Sequence, residues 1–141
     1  MSRRAKNVLE ALVRQSEEIS FQISTLDALK SRLEGFTFNM GHDSGYSAHK
    51  AHNDRIGAYT ARVVDLEREL ESKVEDYAEK RRMVTDVLFR MEDTRHAALL
   101  HSRYIENESW KDVAQTIGVS VTWSYALHNR ALKEFENLFY N

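Results

Sequence analysis

Ser109-Trp110-Lys111-Asp112-Val113-Ala114-Gln115-Thr116-Ile117-Gly118-Val119-Ser120-Val121-Thr122-Trp123 holds two helix starts and one helix stop in a short span. Ser109 is a good N-cap, and Trp110, Val113, Ala114 and Ile117 follow at helical spacing. Gly118 is free to take positive φ, Val119 can seal a core, and Ser120 is a second cap. The spacing predicts a further helix from Val121 to about Phe139, with Leu127, Ala131, Leu132, Phe135 and Leu138 available for burial. Upstream, residues 94–105 place Ala97, Leu100 and Tyr104 on one face with Ala98 and Ile105 beside it, and Asn107 allows a turn. Cap, small Ala114, Gly-Val turn, cap and second helix is the order of a helix-turn-helix, in which the small side chain lets the helices approach. A C-terminal three-helix domain is therefore expected over residues 93–141.

Outward from that unit the period changes. Leu9, Leu12, Ile19, Ile23, Leu26 and Leu33 fall on an alternating three-four spacing, with Ser16 and Lys30 in its gaps. This is a heptad seam, and it predicts a helix over 3–34 of roughly 45 Å. The rhythm resumes at Ile56, Tyr59, Val63, Leu66, Leu70, Tyr77, Val84, Val87 and Met91, with Lys73 and Lys80 in the gaps. It predicts a second helix over about 53–92, roughly 60 Å long. Between them, residues 35–53 carry three of the five glycines and no sustained period, and read as a Gly-rich connector that serves a function, is disordered, or docks Phe36, Phe38 and Met40 onto a neighbour. The expected fold is all-α: a long N-terminal antiparallel helical hairpin, coiled-coil-like, over 1–92, followed by the helix-turn-helix domain over 93–141. Helices of this length need a partner, and the surplus apolar surface invites a homodimer through them. Glu67, Glu69, Glu71 and Glu75 against Lys80, Arg81 and Arg82 read as a solvated charged face, with a docking patch as the alternative.

Composition agrees and excludes. The chain has 141 residues and no proline, the residue that most strongly ends helices, so a mostly helical fold is the first inference. Absence of cysteine removes disulfides, iron-sulfur clusters and thiol nucleophiles. No stretch approaches the eighteen or so apolar residues of a membrane span, and the start Met1-Ser2-Arg3-Arg4-Ala5-Lys6 leads into a charged helix pattern, so a cytoplasmic location without membrane contact is expected. No phosphate-binding glycine loop, Ser-x-x-Lys or paired carboxylates appear, so neither an enzyme nor a cofactor is expected. His42, Asp43, His49 and His52 lie in the Gly-rich stretch without rigid ligand spacing and are not read as a metal site; His96, His101 and His128 read as surface or satisfied helix histidines.

Arg103-Tyr104-Ile105, then Ser109-Trp110-Lys111-Asp112-Val113-Ala114, Ile117-Gly118-Val119-Ser120 and His128-Asn129-Arg130-Ala131-Leu132-Lys133, resemble region 4 of sigma-70-type factors. The chain is closer still to the phage-encoded, sigma-like regulators of late transcription of the ArpU and RinA type, which also couple a charged helical N-terminal region to such a unit. The resemblance covers about 94–136 in motifs and the rest only in size and pattern. It implies a phage or prophage transcription regulator with double-stranded DNA and RNA polymerase as partners. Position by position, Ser120 matches the family's cap, Val121, Thr122, Tyr125 and Ala126 match groove-facing positions, and Arg130 and Lys133 match the basic, backbone-facing end, while Ser109 is the other polar helix cap, of the kind that meets phosphates. With Trp123 and Asn129 these form the candidate DNA-binding set. Trp123 can contact a thymine methyl or stack on a base, or pack on a neighbour; Trp110 reads as a core or staple residue.

The departures have consequences. Groove positions that usually carry Arg, Lys, Glu or Gln are apolar or hydroxyl-bearing here, and Ser124 stands where a buried Val or Ile is usual. From Asp93 onward, five basic residues (Arg95, Arg103, Lys111, Arg130, Lys133) face six acidic ones (Asp93, Glu106, Glu108, Asp112, Glu134, Glu136), a net charge of −1. Such a domain alone should make few phosphate contacts and bind DNA weakly. Two other readings stay open: a packaging protein of the small-terminase type whose coils build a ring, and a protein-protein adaptor whose Val121, Tyr125 and Ala126 form an interaction surface.

Overall fold

The computed structural model describes the backbone of residues 2–38 and 46–141 and the side chains of residues 2–35 and 50–141. The described chain is all-α, without strands. Helix α1 spans Arg3–Phe38, α2 Tyr46–Arg90, α3 Thr94–Leu100, α4 Trp110–Ile117 and α5 Val121–Phe139. A π-helical turn, His101–Ile105, continues α3. None of these helices is long and apolar enough to cross a membrane.

Both long helices run further into the expected connector than the composition suggests. Residues 35–38 belong to α1 and residues 46–53 to α2. With no proline to remove a hydrogen bond, a single solvated glycine such as Gly35, whose absent Cβ would meet nothing, costs a helix only about 1 kcal/mol. The side chains of Phe36 and Phe38, and Met40 altogether, lie outside the described residues. So do the side chains of His42, Asp43 and His49. Helix α2 ends at Arg90, two residues before the expected stop.

The chain divides into two compact units, residues 1–17 with 76–141, and residues 18–75. In the first, the opening turns of α1 and the closing turns of α2 join α3, α4 and α5 around one core. Leu9, Leu12, Val84, Leu99, Leu100, Val113, Leu127 and Phe135 are its largest fully buried apolar side chains. The break between α2 and α3 is closed by side chains: Asp93 accepts from the Arg95 and His96 amides, and Glu134 of α5 accepts from the Glu92 amide at 2.7 Å and from that of Asp93. The second carboxylate oxygen of Glu134 meets His96 Nδ1 at 2.8 Å. One acidic side chain thus fixes where α3 starts relative to α5.

The helix expected over 94–105 changes register midway. From His101 the backbone closes to the fifth residue on, with the Glu106 amide donating to the His101 carbonyl at 3.0 Å. The wider turn sends both Tyr104 and Ile105 into the core. Asn107 follows at φ 57, a left-handed conformation that asparagine tolerates.

The unit of residues 18–75 is the middle of the α1–α2 pair. Glu18 bonds Lys73 at 2.9 Å and Lys30 bonds Glu67 at 2.8 Å, so rising numbers on α1 meet falling numbers on α2 and the two run antiparallel. Lys30 and Lys73 are two of the four polar residues in the heptad gaps, with Ser16 and Lys80. Lys30 and Lys73 each place an ammonium on a carboxylate of the other helix while the side chain stays about half exposed, which favours one register without burying a charge.

Candidate nucleic-acid interface

The Ser109–Val119 stretch ends α4 by hydrogen bonding as well as by composition. Ser109 Oγ accepts from the Asp112 amide at 3.2 Å. At the other end Gly118 sits at φ 72, ψ 39; its amide donates to the Gln115 carbonyl and that of Val119 to the Ala114 carbonyl at 3.0 Å. This is a Schellman closure, and it requires the left-handed residue that glycine supplies at no steric cost. Ser120 then caps α5, its Oγ accepting from the Trp123 amide at 3.1 Å. Ala114, only 3% exposed, leaves room for α4 to lie against α5.

Helix α5 has two faces. Ser124, Leu127, His128, Ala131, Leu132 and Phe135 are buried. Val121, Thr122, Trp123, Tyr125, Asn129, Arg130 and Lys133 are exposed, with Ala126 half-buried at the border. Of the candidate set, the two caps Ser109 and Ser120 are also exposed, so all ten residues are on or beside the surface of α4 and α5. Ser124 is fully buried; its hydroxyl donates to the Val121 carbonyl and is thereby satisfied. Trp123 is 43% exposed, with the Arg130 guanidinium 5.6 Å from its ring, so the aromatic and the cation form one surface element.

Beneath this face lies an aromatic cluster that holds α5 to α4. Trp110 meets Tyr125 and His128 edge-on at 5.0 and 4.8 Å, and the Arg103 guanidinium lies 4.8 Å from the Trp110 ring while donating to the Glu108 carbonyl at 2.9 Å. Trp110 packs against the core, as its place after a cap suggests. His128 is buried, and its Nε2 meets the Tyr104 hydroxyl at 2.7 Å. Burial, with the positive charges of Lys6 and Arg103, pushes the imidazole down to about 4, so it is neutral at pH 7. Burial likewise, with the Glu10 carboxylate adding to it, raises the Tyr104 phenol to about 12.

Sequence reasoning misses what stands beside α5. A cleft of about 630 Å³ is lined by Tyr125 and Asn129 of α5, Arg103 and Asn107 of the π turn and its exit, and Lys6, Glu10, Arg14 and Glu17 of α1. Its α1 residues lie more than a hundred positions earlier in the chain, where no local spacing connects them to α5. Among the described residues no group of three or more His, Asp or Glu side chains is placed to hold a metal ion.

Comparison with curated proteins and with solved structures gives no match. The model of one family, described as a protein of unknown function (DUF1492), matches residues 41–136, which take in all of α2, α3 and α4 and most of α5. The chain belongs to that family.

Proposed function

We propose that this chain is a DNA-binding transcription regulator of a phage or prophage, sigma region 4-like, which acts with host RNA polymerase on late genes and dimerises through its long helices. One observation carries the reading. The capped start and outer face of α5 present Val121, Thr122, Tyr125 and Asn129 to solvent while its inner face is locked into a core, which is how a recognition helix must be mounted. In a major groove, Asn129 can pair bidentately with adenine and Thr122 can bond a base edge. Val121, Ala126 and Trp123 suit thymine methyls. The N-terminal amides of α4 and α5, beside Ser109 and Ser120, face phosphates, and Arg130 and Lys133 lie along the backbone. No catalytic role is proposed.

The test is a binding screen of the purified protein against fragments of its own genome, with and without RNA polymerase, at rising salt. Salt-sensitive binding to particular fragments is expected. Its absence in both arms overturns the reading. A second reading, the protein-protein adaptor, is favoured by the exposed Val121, Trp123 and Tyr125 and by the lack of a guanidinium at the start of α5. Tyr125→Ala and Arg130→Ala separate the two: loss of polymerase binding alone supports the adaptor, and loss of DNA binding supports the regulator.

A further inference from the structure

Residues 93–141 alone offer a phosphate backbone little positive charge. They carry net −1, and Arg103, which lines the cleft beside α5, is already committed to the Glu108 carbonyl and the Trp110 ring. The compact unit that contains α5 also contains residues 1–17, however, which bring Arg3, Arg4, Lys6 and Arg14 against Glu10 and Glu17. Arg4 lies over the Tyr140 ring at 4.3 Å. Lys6 is loosely bridged to Glu10 at 3.8 Å with both side chains about half exposed, and Arg14 is exposed without an ion pair among the described residues. Both line the same cleft as Tyr125 and Asn129 of α5.

We propose that the first turns of α1 form the second half of the DNA-binding surface, with Lys6 and Arg14 contacting backbone phosphates beside the groove that α5 reads. This rests on the regulator reading above. The cleft opens on the Tyr125–Asn129 side of α5, so a duplex engaged by those two residues brings its sugar-phosphate strand to the α1 wall. Eight residues separate the two cations, about 12 Å of helix, which serves two phosphates and not one. The buried anchors Ala5, Leu9 and Leu12 fix this wall rigidly, so little ordering is lost on binding. Glu10 and Glu17 face the same cleft and oppose phosphate, which makes the proposal testable in both directions.

The experiment titrates full-length wild type, Lys6→Ala/Arg14→Ala and Glu10→Gln/Glu17→Gln against the tightest-binding genomic fragment and a random-sequence duplex, at about 50 to 200 mM salt. All four side chains are at the surface or its edge, and thermal melts check that each variant folds. Removing the two cations is expected to lower affinity for both duplexes on the order of thirty-fold at about 0.15 M salt and to reduce the salt slope by about 1.8. Removing the two carboxylates is expected to tighten binding. Unchanged affinity and slope in both variants, with wild type bound, overturns this proposal and leaves the regulator reading standing. Tighter binding by the Lys6→Ala/Arg14→Ala variant also overturns it, because α1 would then shield α5. No wild-type binding in the genomic screen overturns the regulator reading itself, and this proposal with it.

Discussion

In the unit of residues 1–17 and 76–141, the seam positions Leu9, Leu12, Val84 and Val87 are 0 to 3% exposed, whereas in residues 18–75 the seam residue Ile23 is 43% exposed and Leu66 and Leu70 are only half-buried. The two regions carry the same heptad rhythm on the same two helices. They differ in what covers it. Two helices shield a seam from one side each, and among the described residues of this region only Leu26 and Val63 are buried. Where α3, α4 and α5 add a further layer, the apolar seam positions Leu9, Leu12, Val84, Val87 and Met91 are closed, while Tyr77, further from that layer in the chain, is half-buried. Periodicity therefore says which face a helix offers for burial, and the number of neighbours decides how much of the hydrophobic stabilisation is realised.

The largest effects should fall on the closed side. Phe135→Ala removes a side chain with no exposed surface and is expected to cost about 3–5 kcal/mol in denaturant unfolding. Leu26→Ala, in the open region, should lie near the low end of the Leu→Ala range, about 2–3 kcal/mol. Equal costs would erase the contrast between the regions.

Next in size is a pH effect confined to the first unit. His128 is neutral when folded, held at about 4, while in the unfolded chain it titrates near its ordinary 6.5. Above pH 6.5 neither state takes a proton and the histidine has no influence. As pH falls from 6.5 to 4 the unfolded chain is protonated first, so stability drops, by at most about 3 kcal/mol. His128→Gln should flatten that part of the stability profile relative to wild type; parallel profiles would show that the buried imidazole is not the titrating group. Tyr104→Phe, which leaves His128 Nε2 without its 2.7 Å partner, is expected to cost about 1–3 kcal/mol at pH 7.

Smaller again are the chain-reversal effects. Ser120→Ala should cost about 1 kcal/mol through the lost bond to the Trp123 amide. Gly118→Ala should cost a similar amount, about 1 kcal/mol, from the left-handed φ of 72 alone, since an added Cβ meets open space there. A much larger cost at Gly118 would mean that α4 and α5 pack more tightly than the geometry indicates.

These caps and the Gly118 turn are also where the fold was most legible beforehand. Capping and positive φ are properties of single residues and their near neighbours, so Ser109, Gly118 and Ser120 announce themselves, and so does the buried stripe of α5. The sequence reading places a boundary at residue 93, where the period changes. The compact units divide within both long helices, a division that depends on which distant segments come together, and periodicity along one helix carries no trace of that. The same holds for the candidate site. The outer face of α5 is readable from spacing, but the Tyr104–His128 pair and the cleft shared by Lys6, Arg14 and Asn129 are products of tertiary packing. The π turn escapes too, since a one-residue change of register leaves an apolar pattern that still looks helical.

The smallest folding effect expected tests the open region most directly. Phe21 is 71% exposed and lines a shallow apolar groove with Leu26, Leu66 and Leu70, all within residues 18–75. In an isolated chain Phe21→Ser removes little buried area, so unfolding at low protein concentration should change by no more than about 0.5 kcal/mol. If the long helices dimerise as proposed, that groove is where a second chain would supply the missing cover, and the same substitution must then weaken self-association. Sedimentation equilibrium of wild type and variant over a range of concentrations separates the two effects. A wild-type dimer that dissociates on substitution, with the monomer's stability unchanged, identifies the open seam as an interface. A wild-type monomer at all concentrations would mean that a half-covered seam suffices on its own, with the Lys30–Glu67 and Glu18–Lys73 pairs holding its register.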